Sequence, residues 1–291
     1  QWRGCCLKLC ALEVDFLCLP ECFAFIGARQ GAGLKAAEPL DGPTMMRYRG
    51  LARENHMWLS LGGFHETCPD RRKVFNTHVI VDAEGDVKAA YRKAHLFDVD
   101  LPNVKFIESQ ITAPGNELVV CKDTPVGDIG MSICYDLRFP EMYSALRQAG
   151  AVVQLVPSAF MPGTGRAHWE VLLRARAIET QCYVGAAAQC GSHSEFRSSY
   201  GHACIVDPWG AVVADAGPEA IVLSSLTWTT SLLIRLALGF LFLLTADQIC
   251  TGMHESCTEK MLSNSLHNHV KWCNPRPPPP PLLYRNAQVV H

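Results

Sequence analysis

Apolar positions alternate along the chain between short continuous runs and helical spacings. Val14 to Leu19 is a strand-like run that ends at Pro20-Glu21. Met45, Tyr48, Leu51 and Ala52 recur at helical spacing, and Trp58 to Leu61 is strand-like again. Val79 to Asp82 and Val87 to Tyr91 flank a turn with Gly85, which predicts a hairpin that delivers Arg92-Lys93 to a strand end. Ile129 to Ile133 predicts a buried strand that stops at Cys134. Pro140 and Glu141 then open a helix with Phe139, Met142, Tyr143 and Leu146 on one face, and Gly150 closes it. Ala151 to Val156 and Tyr183 to Ala188 predict two more strands. Between them lies a helix over 167–181 with Val171, Leu172, Ala175 and Ile178 on one side. Ala203 to Val206 and Ala211 to Ala214 form a second hairpin around Pro208-Trp209-Gly210. Residues 5–13 read as the end of a helix, and residues 29–43 and 96–117 as loops, the second carrying Asp98, Asp100 and Glu108.

Strands alternating with helices predict an α/β fold with helices over sheet faces. The hairpins mixed into the pattern exclude a purely parallel sheet. This rhythm stops near residue 225, so residues 1–225 read as one domain and 226–291 as an unrelated tail. Ser231 to Thr245 is an apolar run of fifteen residues interrupted by Arg235. A membrane span needs about twenty, so none is expected. A core helix of a shortened domain is a second reading of the run, and alternative-exon sequence without a function is the preferred one. The proline run that ends at Pro281 reads as a polyproline II linker. His254, Cys257 and Cys273 lack a paired C-x-x-C spacing, so no zinc site is expected.

Composition narrows the classes. The chain has 291 residues and a net charge of −2, which indicates no nucleic-acid surface. Fourteen cysteines without a visible signal peptide, several of them in apolar runs, read as reduced thiols in a reducing compartment. The cytosol is the default location, with a mitochondrial form where an upstream transit peptide exists. The first residue is Gln1, so a fragment, a processed product or an incomplete gene model is expected.

Three predicted strand ends present Glu21, Lys93 and Cys134: a base, a cation and a sulfur nucleophile. A carboxylate can take the thiol proton during attack. An ammonium lowers the thiol pKa and binds an oxyanion, with the backbone N–H of Tyr135 as a second donor. Taken singly, a strand-end cysteine is more often a buried core thiol, and Glu and Lys more often surface groups.

The order and wording of three stretches decide between these readings. Leu19-Pro20-Glu21, Tyr91-Arg92-Lys93 through Asp98, and Ile133-Cys134 through Glu141 resemble the three signatures of the nitrilase, or carbon-nitrogen hydrolase, superfamily. The resemblance covers roughly residues 11–225. It implies a four-layer αββα sandwich, commonly dimeric, here without the family's first strand and helix. It implies Glu21 as general base, Lys93 as oxyanion-stabilising group, Cys134 as nucleophile and Glu108 as a supporting carboxylate, with no metal or organic cofactor. Tyr135, Arg138 and Thr164 are candidates for binding a substrate carboxylate. Further stretches, including Arg176-Ala-Ile-Glu179-Thr-Gln-Cys182 and Ala186-Ala-Ala-Gln189-Cys-Gly191, are similar to a branch of linear amidases. That branch implies hydrolysis of the amide of deaminated glutathione, a 2-oxo-acid amide, to 2-oxoglutarate and cysteinylglycine through a thioester. The alternative substrates are 2-oxoglutaramate and 2-oxosuccinamate, and a reading of another class is an inactive binding or scaffold protein. His168, Trp169 and His202 read as packing groups. Arg166 stands where the family has proline, near the wall of the implied site.

Overall fold

The computed structural model describes residues 14–27, 31–101, 104–195 and 197–218, together with the backbone of 240–242 and 287–290. The expected helix over 5–13 and almost all of the tail lie outside the described residues.

The strands are β1 (Phe16–Leu19), β2 (Trp58–Thr67), β3 (Val74–Val81), β4 (Val87–Arg92), β5 (Asp98–Leu101), β6 (Val104–Ile107), β7 (Leu118–Cys121) and β8 (Ile129–Met131). They continue with β9 (Val153–Leu155), β10 (Tyr183–Ala186), β11 (Cys190–Ser194), β12 (Arg197–Tyr200), β13 (Cys204–Val206), β14 (Val212–Asp215), β15 (Phe240–Phe242) and β16 (Ala287–Val290). The helices are α1 (Ala32–Lys35), α2 (Pro43–Asn55), α3 (Pro140–Gln148) and α4 (Pro162–Thr180). A five-stranded sheet runs in the order β15-β1-β2-β3-β4 and a seven-stranded sheet in the order β14-β13-β10-β9-β8-β7-β16. Both sheets are mixed: β1 pairs parallel with β2, β2 antiparallel with β3, and β9 parallel with β8 and β10.

Alternation along β1 shows how the layers form. Leu17 and Leu19 point into a core with Met45, Tyr48 and Ala52 of α2, and with Leu59, Leu61, Val79 and Val81 of the same sheet. Phe16 and Cys18 point the other way, into a larger core with Ile80 and Tyr91 of the first sheet and Val120, Ile129 and Met131 of the second. That core extends to Met142 and Leu146 of α3 and to Trp169 and Leu173 of α4. A strand buried on both faces has helix on one side and sheet on the other, which gives the order α, β, β, α.

Helix α2 starts at Pro43, and the Glu38 carboxylate accepts from the Thr44 N–H and hydroxyl at 2.8 Å each, supplying the anion that a helix N-terminus favours. Helix α4 corrects one expectation. Its buried face carries Trp169, Leu173, Arg176, Ala177 and Thr180, whereas Val171 is 68% and Ile178 47% exposed. The helix has two apolar stripes, and the one with the larger side chains faces the core. The expected loop over 96–117 is also more structured, with β5 and β6 forming a hairpin and Glu108–Gln110 a 3-10 turn.

One polar contact bridges the two sheets. His78 on β3 is fully buried; its Nε2 lies 2.7 Å from the Ser60 hydroxyl and its Nδ1 3.1 Å from the Ser132 carbonyl. The carbonyl can only accept, so Nδ1 carries the proton and Ser60 donates to Nε2. Burial pushes the imidazole down to about 4. The unfolded chain therefore binds this proton below about 6.5, while the folded chain resists it down to about 4. Stability is predicted to fall as pH drops through that window, with His78 contributing on the order of 3 kcal/mol. Urea titrations of the protein and of His78→Gln should show a shallower pH slope for the variant. Equal slopes would exclude this role.

Candidate active site

The first site residue depends on close backbone approach. Glu21 lies two residues beyond β1, where the Cys22 N–H donates to the Gly63 carbonyl at 2.9 Å. Gly62 and Gly63 form a bulge in β2; Gly63 has φ +46°, and a Cβ on Gly62 would collide with Pro157 and the Leu19 carbonyl. No residue with a side chain fits this crossing of β1, β2 and the Pro157 loop.

Lys93 directly follows β4. Its backbone N–H donates to the Asn76 carbonyl at 2.8 Å and its carbonyl accepts from the Gly115 N–H at 2.8 Å. Its ammonium donates to Glu21 Oε1 at 3.2 Å and to both oxygens of Glu108 at 3.1 and 2.9 Å. Glu108 opens the 3-10 turn and accepts from the Phe97 N–H at 2.7 Å. Lys93 is 2%, Glu21 6% and Glu108 7% exposed, so three charged groups share one buried cluster. Each is tolerated there because it is paired.

Cys134 sits at the start of a 3-10 turn, Cys134–Arg138, with φ +48°. Its backbone N–H donates to the Pro157 carbonyl at 2.9 Å. A non-glycine residue in this left-handed region is held by its surroundings. The holding group is Asp136, which is fully buried. Its carboxylate accepts from the Ile133 N–H at 2.9 Å, the Tyr91 hydroxyl at 2.7 Å and the His95 N–H at 3.0 Å, and lies 2.8 Å from His95 Nδ1. The turn bearing the thiol is thereby pinned to the strand end bearing Lys93.

The thiol itself is half-buried, and it and the Glu21 carboxylate influence each other electrostatically. Burial raises Glu21, but the Lys93 ammonium and hydrogen bonds from Cys134 and Asn76 outweigh it and hold the carboxyl below its ordinary value. Burial and the Glu21 charge push the Cys134 thiol well above its ordinary value, although Lys93 opposes them. Lys93 thus lowers the thiol as expected but is outweighed, so at rest the sulfur keeps its proton beside an ionised carboxylate. Such a pair can transfer the proton when the sulfur attacks an electrophilic carbon. Carbonyl oxygen on that carbon could accept from Lys93 and from the Tyr135 N–H, which lies in the first turn and has no partner within it.

The other expected residues are not drawn into this cluster. Arg138 is half-buried on the same turn; both terminal nitrogens lie 3.3 Å from His168 Nδ1, and its guanidinium lies 5.7 and 5.6 Å from the Tyr135 and Phe160 rings. Thr164 donates to the Met161 carbonyl at 3.2 Å in the first turn of α4, and Arg166 is exposed beside it. Trp169 is buried and donates to the His202 carbonyl at 2.7 Å, as a packing group should.

Besides Asp136, two residues that support the Glu21 turn were not singled out in the sequence. Asn76 donates to Glu21 Oε1 at 2.9 Å while its carbonyl fixes Lys93. An asparagine inside an apolar strand was the available signal, since that residue is disfavoured there. Gln189 is fully buried and donates to the Glu21 backbone carbonyl at 2.9 Å, which ties the start of β11 to the same turn.

Residues 8–228 match the carbon-nitrogen hydrolase family. A deaminated glutathione amidase of Dictyostelium discoideum is 56% identical over 211 residues, covering 70% of this chain and 72% of that protein. A Homo sapiens protein of the same name is 55% identical over 200 residues, covering 67% of this chain and 61% of that one, so the chain spans about three fifths of the human relative's length. The crystal structure of the C. elegans NitFhit protein superposes with a TM-score of 0.69 at 48% identity, covering 73% of this chain and 52% of that one.

Removing the Asp136 carboxylate strands several buried donors. Asp136→Ala is predicted to lower unfolding stability by about 3 kcal/mol or more. Asp136→Asn retains an acceptor oxygen and should lose less. Denaturant titration of both variants checks the order; a loss under about 1 kcal/mol in the alanine variant would contradict it.

Proposed function

The chain belongs to the carbon-nitrogen hydrolase family, and on that premise we propose that it hydrolyses the amide of deaminated glutathione, releasing 2-oxoglutarate and cysteinylglycine. The observation that carries the chemistry is Lys93 held between Glu21 and Glu108, with the Cys134 thiol close enough for the Glu21 and Lys93 charges to act on it. The substrate assignment is supported by relatives at 54–56% identity that bear the name deaminated glutathione amidase.

In this reading Glu21 takes the proton from Cys134 as sulfur bonds to the amide carbonyl carbon. The carbonyl π electrons move to oxygen, and Lys93 with the Tyr135 N–H stabilises the oxyanion. The oxyanion collapses, the C–N bond breaks, and Glu21 passes its proton to the leaving nitrogen. A thioester between Cys134 and the 2-oxoglutaryl group remains. Water then attacks the same carbon, Glu21 takes its proton, and the C–S bond breaks. The proton returns from Glu21 to sulfur, and the second carboxylate is released. Glu108 keeps Lys93 oriented through both steps.

A homodimer belongs to the same reading. The outer face of α4 exposes Val171 and Ile178, and Trp209, in the turn beside it, is 65% exposed. Gly210 in that turn packs on Ile178, and its carbonyl accepts from Arg174 Nε at 2.8 Å, so helix and turn form one surface. An apolar surface of this kind commonly marks an interface.

The wild-type protein should release 2-oxoglutarate from deaminated glutathione faster than from 2-oxoglutaramate in a coupled assay. The reverse preference would replace the substrate assignment. Cys134→Ala and Glu21→Gln should each lose at least about a thousandfold in kcat. Normal turnover by either variant would sink its assigned role. Because Glu21 is ionised down to a lowered pKa, kcat/KM should stay level with falling pH until below the ordinary carboxylate value. A limb above that value would contradict the assignment of Glu21 as base. Sedimentation should give a dimer that Ile178→Glu dissociates; a wild-type monomer would remove the dimer from the reading.

A further inference from the structure

Most cations on this molecule that lie near a buried group have a carboxylate partner. Arg92 makes a two-pronged pair with Glu66 at 2.9 and 2.6 Å. Arg176 donates to Glu179 at 3.0 Å and doubly to the Leu137 carbonyl. Lys93 has two carboxylates. Arg197, like half-buried Lys73 and Arg138, has no carboxylate partner among the described residues, and it alone of the three is a guanidinium whose side-chain bond goes to a backbone carbonyl. It is half-buried at the start of β12, and among the described residues its side chain donates from Nη1 to the neutral Gly27 carbonyl at 3.1 Å. A guanidinium has five donors in a planar fork suited to a carboxylate. Leaving that fork half-buried with a neutral partner carries a desolvation cost that a bound anion would remove.

Its position says which anion. The β11–β12 hairpin begins beside Gln189, whose amide donates to the Glu21 carbonyl at 2.9 Å. Gly27, the residue Arg197 docks on, ends the described segment that leads away from Glu21. The hairpin is thus fixed at its start to the turn that carries the base, and Arg197 docks on the chain segment that leaves that turn. The Arg197 charge is felt by Glu21, Cys22 and His65, each of which it shifts downward. The hairpin is stiffened by His193 Nε2, 2.8 Å from the Ser199 hydroxyl, and Phe25 stands edge-on to His65 at 6.1 Å beside it. Glu21 must reach the leaving nitrogen to protonate it, so the leaving portion of the substrate extends over this side of the site. Arg138, which among the described residues also pairs with no carboxylate, is on the Cys134 turn instead.

Deaminated glutathione has a carboxylate at each end: one on the 2-oxo acid, one on the terminal glycine. Resting on the amidase reading above, we propose that Arg197 is a specificity residue that binds the carboxylate of the leaving cysteinylglycine portion. The site's two carboxylates against one lysine would otherwise repel a doubly negative substrate. Arg197 offsets that repulsion at the end where an amide with ammonia as leaving group has nothing to bind.

The test is a double-substitution cycle on protein and substrate. Deaminated glutathione and the same molecule with its glycine carboxylate converted to a carboxamide are assayed on wild type, Arg197→Gln and Arg197→Lys. Wild type should favour the acid over the carboxamide by at least about tenfold in kcat/KM, chiefly through KM. Arg197→Gln should lose that preference, and Arg197→Lys should restore part of it. A glutamine variant that still prefers the acid as strongly as wild type, or a wild type that does not distinguish the two, would overturn the proposal. Thermal unfolding of each variant separates misfolding from lost recognition. If wild type hydrolyses neither compound, the amidase reading fails. Calorimetric titration of cysteinylglycine then decides the proposal separately: tighter binding to wild type than to Arg197→Gln supports it, and equal binding overturns it.

Discussion

The contact on which this molecule depends is the three-way pairing of Lys93 with Glu21 and Glu108, with each of the three at most 7% exposed. Isolated charges at such burial would neutralise themselves or stay in water. Burial is the largest single effect on the Glu21 carboxyl and raises it, but the Lys93 ammonium and the hydrogen bonding around it together outweigh burial and hold the group below its ordinary value. The fold is built to keep the three together. Two sheets bring three strand ends to one place, and the Gly62-Gly63 bulge lets β1 and the Pro157 loop close over them. Loss of one partner would leave an uncompensated buried charge, so the cluster ties integrity of the fold to chemistry of the site.

Around that cluster, most of the supporting bonds run between elements far apart in sequence. Asn76 reaches Glu21 across 55 residues, Tyr91 reaches Asp136 across 45, and Gln189 reaches Glu21 across 168. This explains what could be read beforehand. The strand ends of Glu21, Lys93 and Cys134 were legible because each terminates an apolar run, and the three signature stretches identified their family. Glu108 was legible by its motif alone. Asp136, Gln189 and Arg197 were not, because a polar residue in a strand or turn gives no local sign of its distant partner, and Asn76 was marked only by its placement in an apolar strand. The layering came from the family resemblance, and β1, apolar on both faces, is covered on both as that layering requires.

The errors have equally local causes. On α4, Val171 and Ile178 share helical spacing with one another, as do Trp169, Leu173 and Ala177. Periodicity finds both stripes and cannot rank them; packing ranks them by the volume available under Trp169, which is 1% exposed. The hairpin of β5 and β6 was read as a loop because charged Asp98, Asp100 and Lys105 interrupt its apolar alternation. Those charges face outward, with Lys105 pairing to Asp100 at 2.7 Å between exposed side chains.

The state of the sulfur has a further consequence, for redox chemistry. Oxidants and disulfides react with thiolates rather than thiols. Cys134 keeps its proton at rest, and burial pushes Cys18, Cys22, Cys121, Cys182 and Cys204 upward as well, Cys22 and Cys121 to about 12. A chain with fourteen cysteines thus presents few reactive sulfurs among its described residues. In the proposed reaction the departing dipeptide carries a thiol of its own, an arm's length from the nucleophile. A site that forms its thiolate only while attacking a carbonyl does not hold a standing nucleophile for mixed-disulfide exchange with oxidised product. In the proposed reaction, a protonated Cys134 is therefore a poor partner for such exchange.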